Sequence, residues 1–113
     1  MLKKKNRITK DKEFDRAFKT GQSFYTKLFG LKAVDNSLEI NRLGVLVSIK
    51  VSKKAVVRNK IKRQIKELVQ KELPDIKTGK DLVIIVFSEI LSKNFKELGE
   101  ALALALKKLR LYK

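Results

Sequence analysis

One stretch, Leu82–Phe87 (LVIIVF), limits the folds open to this chain more than any other. It is apolar without alternation, so neither face of a strand built from it tolerates water. Such a strand belongs in the middle of a sheet with layers on both sides. It is also far short of the roughly 20 residues that a membrane-spanning helix needs. The chain must therefore supply flanking strands and covering helices from its other residues, and its length of 113 residues suits one domain, not two.

The remaining periodicities supply those parts. Asp11–Thr20 reads as a short helix: Phe14, Ala17 and Phe18 fall at i, i+3, i+4, and Gly21 follows as a stop. Residues 23–34 (SFYTKLFGLKAV) are rich in aromatic and β-branched types and read as one strand, with DNS at 35–37 as a turn. A second strand spans Arg42–Ile49, and the short connection predicts an antiparallel pair with the first. A helix runs from Lys54 to Leu73, ended by Pro74. DIKTGKD is a turn, Asp81–Phe87 the third strand, and Lys93–Leu109 the last helix, with Phe95, Leu98, Leu102, Leu106 and Leu109 in one stripe. Residues 1–9 are polar and basic and read as a loosely held, flexible arm. The order is α-β-β-α-β-α, an α+β sandwich with a helix-covered sheet. The general rule makes its one parallel crossover right-handed.

The Lys54–Leu73 helix carries the functional signal. Val57, Ile61, Ile65, Leu68 and Val69 share one arc at 100° per residue. Arg58, Lys62 and Lys66 climb beside that arc, and Asn59 and Arg63 extend the row away from it. From Lys50 to Lys66, with Lys53 and Lys54 between, there are eight basic residues and no acidic one. A plain solvated face mixes signs, because i,i+4 pairs of opposite charge help and like charges repel. This face forgoes that support, which favours a polyanionic partner over a solvated lysine face. The whole chain agrees: 28 Lys and Arg against 12 Asp and Glu give a net charge of +16. Self-repulsion of that size opposes compaction unless a polyanion cancels it.

Composition also narrows the chemistry. With no His and no Cys, the commonest general base, the thiol nucleophile and the usual zinc ligands are missing. Asp11, Glu13 and Asp15 read as the acidic first turn of a helix rather than a metal site. None of the five glycines falls in a phosphate-binding loop motif. The expected set of catalytic side chains and protein metal ligands is therefore empty. The basic start MLKKKNRITK has no apolar segment behind it, so it is not a secretory signal. A cytoplasmic protein facing nucleic acid, and no membrane, is the expectation.

AVVRNKIKRQIKE, with R-N-x-x-K-R-x-x-K inside it, resembles the signature of the protein component of bacterial ribonuclease P. NRITKDKEFDRAFKTGQSF resembles that family's N-terminal pattern, RLGVLVS its second strand and KDLVIIV its third, so the likeness spans nearly the whole chain. The resemblance implies a ribosomal protein S5 domain 2-like fold with a left-handed β-α-β crossover, against the general rule. It implies an accessory subunit that assists a catalytic RNA, using Mg²⁺ bound mainly by that RNA, in hydrolysing the phosphodiester that joins the 5′ leader to precursor tRNA. The implied partners are the catalytic RNA and the precursor leader, with no obligate protein partner.

Carried over by position, the resemblance assigns Lys53, Lys54, Arg58, Asn59, Lys62, Arg63 and Lys66 to the catalytic RNA. It assigns Arg7, Lys10, Phe14, Phe18 and Phe29 to a cleft for the single-stranded leader. From the residues alone, Phe14 and Phe18 read as core packing. The chain departs from the family pattern in SIKVSKKAVVRN, which lacks a glycine and is one residue longer, and at Lys32, where an aromatic is often found. Two other classes compatible with the charge are a structural ribosomal or ribonucleoprotein component and a helix-turn-helix regulator. The latter lacks a well-formed helix a short turn upstream.

Overall fold

The computed structural model describes residues 3–113. Helix α1 (Asp11–Thr20) precedes strands β1 (Gln22–Tyr25), β2 (Phe29–Asp35) and β3 (Arg42–Leu46). Helix α2 (Ala55–Glu72), strand β4 (Lys80–Val86) and helix α3 (Phe95–Lys108) complete the chain. The sheet order is β1-β2-β4-β3, with β3 and β4 parallel and the other pairs antiparallel. β4 is thus central, as its two-sided apolar character demands. Among the described residues no helix is long and apolar enough to cross a membrane.

Two expectations about the strands need correction. The predicted strand 23–34 is a hairpin, β1–β2, broken at Thr26. The Thr26 Oγ1 accepts the backbone N–H groups of Leu28 and Phe29, both at 3.1 Å, so a hydroxyl makes the turn without glycine or proline. The predicted antiparallel pairing of the second strand with the first is also wrong, because β4 lies between β2 and β3. The six residues between them, 36–41, reach up to about 20 Å extended. That easily spans the roughly 10 Å between alternate strands. β3 also ends at Leu46, before Ile49: the chain turns at Ser48, whose carbonyl accepts the Val51 N–H at 3.1 Å.

Alternation along the strands divides the two sides of the sheet. Leu31, Ala33, Leu43, Val45, Leu82, Ile84 and Val86 face the main core, beneath Ile61, Ile65 and Val69 of α2 and Leu98, Leu102 and Leu106 of α3. Val34, Val83 and Ile85 face the other way, toward Phe14 and Ala17 of α1 and Ile8. That second side has one short helix over it, so part of the sheet stays open. The arm is also more anchored than its composition predicts. Ile8 is buried, its N–H donates to the Leu43 carbonyl at 3.0 Å, and Asn6 Nδ2 donates to the Asn41 carbonyl at 2.7 Å. Residues 3–9 thereby lie along the free edge of β3; Met1 and Leu2 lie outside the described residues.

A polar network fixes α1 to the sheet. The Asp81 side chain is fully buried and receives the Arg42 fork, Nε to Oδ1 at 2.8 Å and Nη2 to Oδ2 at 2.7 Å. Asn36 Nδ2 adds a bond at 3.0 Å and Arg16 Nη2 a longer one at 3.4 Å. Arg42 Nη1 also bonds the Glu13 carboxylate, whose other oxygen accepts the Lys10 N–H at 3.2 Å. Burial pushes the Glu13 carboxyl up, but the amides of Lys10 and Thr9 and the Arg42 charge together hold it below its ordinary value. Asp81 first, and Glu13 with it, hold Arg42 above its ordinary value against the effect of burial.

Candidate nucleic-acid interface

The α2 ladder takes the arrangement its spacing predicts. Lys62 and Lys66 stand half-buried at the margin of the apolar stripe, while Asn59, Lys60 and Arg63 point into solvent. Lys53 and Lys54 are exposed just before the helix. Among the described residues, no carboxylate forms an ion pair with any of these cations. The first turn of α2 holds no acidic residue and no side-chain cap, so its positive end faces more positive charge. An anion placed there would relieve both. Arg58 is partly committed already: its Nη1 donates to the Ser52 carbonyl at 2.9 Å, tying the entry loop to the helix.

Docking of the arm brings a further cation to this edge. Lys66 is held below its ordinary pKa, first by burial and then by the positive charges of Arg7 and Lys62. Arg7, which the resemblance assigns to the leader, therefore stands beside the α2 ladder. Lys10 is exposed at the entrance to α1, the helix that covers part of the other side of the sheet.

That open side is an aromatic shelf. Phe14 is half-buried against Gly44, where an added Cβ would meet the ring at 2.4 Å, so only glycine seats it. Phe18, one turn on, is 40% exposed. Tyr25, 57% exposed, lies over Gly30, where a Cβ would meet its ring at 2.7 Å and Phe87 at 3.7 Å. The Lys32 ammonium sits 5.6 Å from the centre of the Tyr25 ring and donates to Ser23 Oγ at 2.9 Å. Lys32 and then Ser23 hold the Tyr25 hydroxyl below its ordinary pKa. Exposed rings with cations beside them suit a single strand whose bases stack and whose phosphates pair.

Phe29 does not belong to this shelf. It is 1% exposed on the opposite side of the sheet, packed with Ile65, Leu68, Ile84, Leu98 and Leu102. Its assignment is corrected to core, for a reason of register: a one-residue step along a strand reverses the side. Gly30 and Lys32 face the shelf instead, and Tyr25 and Phe87 supply the aromatic rings. Neither was singled out from the sequence. Glycines at strand positions 30 and 44, each leaving room for a ring, are the signal that could have found such seats.

The family model described as Ribonuclease P matches residues 2–110. The ribonuclease P protein component of Clostridium botulinum (strain 657 / Type Ba4) is 46% identical over 110 residues, covering 96% of this chain and 98% of that protein. That of Bacillus mycoides is 38% identical, covering 89% and 88%. Among solved structures, the RNase P protein of Staphylococcus aureus superposes with a TM-score of 0.87 at 30% identity, covering 96% of this chain and 98% of that one. The RNase P protein of Thermotoga maritima superposes with a TM-score of 0.79 at 29% identity, covering 89% and 96%.

Proposed function

Since this chain belongs to the ribonuclease P protein family and is a protein component of that tRNA-processing ribonuclease, we propose that it grips a catalytic RNA through α2 and holds the precursor leader on its aromatic shelf. The observation that carries this reading is the row of Lys53, Lys54, Arg58, Lys62, Arg63 and Lys66, with the neutral amide of Asn59 among them, whose cationic charges no carboxylate answers among the described residues. Arg58 and Arg63 fork onto phosphate oxygens, and the lysines act as point charges along the backbone. Arg7 and Lys10 lead from that row to Phe14, Phe18, Tyr25 and Phe87, where leader bases stack.

In this reading the protein breaks no bond. Phosphodiester hydrolysis falls to the RNA, with Mg²⁺ on its phosphates. The protein's buried carboxylates do not fit a metal: Asp81 is filled by Arg42, Asn36 and Arg16, and Glu13 by Arg42 and two backbone amides. The protein instead screens phosphate repulsion between the RNA and its substrate, which lowers the metal concentration the reaction needs. The reaction takes place in the cytoplasm. Neither other class fits as well: a strand and an irregular loop, not a helix, precede α2. The family membership favours processing over a purely structural role.

The test is reconstitution at low magnesium. Adding this chain to the catalytic RNA restores cleavage of precursor tRNA, and binding improves for precursor far more than for mature tRNA. Equal improvement for both tRNAs contradicts the leader shelf. No restored cleavage contradicts the subunit role.

A further inference from the structure

β1 and β3 are the two outer strands of the sheet. Three interstrand steps, about 14 Å, separate the free edge of β1 from the strand beside the α2 ladder. Near the β1 edge an open cleft of about 700 Å³ is lined by Lys77, Lys80, Lys108 and Arg110 together with Gln22 and Ser23. No acidic residue lines it. Lys80 is paired with the exposed Asp35, while Lys77, Lys108 and Arg110 have no ion-pair partner among the described residues.

The end of α3 explains one of these cations and not another. Lys108 lies in the last turn, where a cation suits the helix dipole. Arg110 does not gain that way. Its N–H donates to the Lys107 carbonyl at 3.0 Å and the Leu111 N–H to the Leu106 carbonyl at 2.9 Å, the paired bonds of a Schellman cap. The residue in that position takes a left-handed conformation and is usually glycine; here it is Arg110 at φ 57°. A side chain is thus kept where the backbone disfavours one, and it is a cation opening on a cationic cleft. Lys77 is brought to the same place by its own N–H, which donates to the Leu111 carbonyl at 2.8 Å.

We propose that this cleft is a second phosphate-binding surface, holding a stretch of RNA backbone separate from the one on α2. The protein then holds RNA at a third place, beside the α2 row and the aromatic shelf. The inference rests on the reading of the chain as an RNA-binding subunit. The segment belongs either to the catalytic RNA or to the precursor tRNA, which present the same chemistry and are told apart by titration.

The experiment uses the full chain with Lys77→Gln, Lys108→Gln and Arg110→Gly combined, beside Lys62→Gln with Arg63→Gln. Affinity is measured against salt, first for the catalytic RNA and then, in the assembled ribonucleoprotein, for precursor tRNA. The triple variant is expected to flatten the slope of log affinity against log salt by about 2 to 2.7 for one of the two, which identifies the source. Its effect adds to that of the α2 variants in log affinity, as distant sites do. Arg110→Gly alone separates binding from folding: it raises the midpoint of thermal unfolding while weakening RNA binding, and Arg110→Lys preserves binding. If the triple variant leaves both affinities and slopes unchanged while the α2 pair weakens binding, the second surface is overturned and the α2 reading stands. If the α2 pair is silent as well, both fall.

Discussion

Arg42 and Arg16 on one side of the sheet, and Lys62, Arg63 and Lys66 on α2, are similar cations under opposite treatment. The first group meets Asp81 and Glu13 within a closed network, and no buried side-chain nitrogen or oxygen among the described residues lacks a partner. The second meets no carboxylate and is crowded by its own kind and by Arg7. A cation that serves the fold is supplied with an anion from within the chain. A cation that serves a partner is left for the partner to neutralise, at some expense to the free protein.

Removing one member from each group should therefore have opposite consequences, and Asp81→Ala has the largest. It leaves Arg42 part-buried without its main partner, and urea unfolding should show a loss of about 3–5 kcal/mol. A loss below about 1 kcal/mol would mean that the network does not hold α1 to the sheet. Phe18→Ala and Tyr25→Ala come next. Neither ring is part of the buried core, so stability should change little, while precursor affinity should fall by about 1–3 kcal/mol for each stacked base. Unchanged affinity for precursor would return both rings to ordinary surface.

Glu13→Gln tests the paired group through pH. The folded-state pKa of Glu13 lies below its ordinary value of 4.5, so its contribution to stability is complete above that value and is lost as pH falls through the depressed one. Wild type should exceed the variant in stability at neutral pH, and the gap should narrow in acid. A gap that widens in acid contradicts the assignment. Lys66→Met has the smallest effect and the opposite sign. Charged Lys66 opposes folding, and that opposition relaxes as pH rises through its depressed value toward 10.5. The variant should match or exceed wild-type stability at neutral pH by up to about 0.5 kcal/mol, while binding RNA less well.

The same contrast explains what was legible in the sequence. α1 and α2 have strong helical stripes, and each lies within one residue of its predicted bounds at both ends. The centrality of β4 follows from an apolar run with no polar side. The α2 ladder is legible because helical spacing is local and an absence of acids can be read directly. Strand order is not local: nothing in residues 36–41 says that a later strand will pass between β2 and β3. The hairpin turn at Thr26 escaped because its hydroxyl carries no distinctive composition. Phe29 was misplaced because an aromatic in a strand gives no hint of its side until the register is known. The anchoring of residues 3–9 was not legible because Ile8, the one aliphatic residue among them, finds its pocket only in the folded sheet.

The measurement that bears most directly on the central claim is the salt dependence of binding to the catalytic RNA for the wild-type chain and for Lys62→Gln, Arg63→Gln and Lys66→Gln combined. If about six phosphates are contacted, the wild-type slope of log affinity against log salt is about −5.4, roughly 40-fold per doubling of salt. The triple variant should flatten it by about 2.7. A wild-type slope near zero, or a variant slope equal to the wild type's, would contradict the claim that these unanswered charges on α2 are there for RNA.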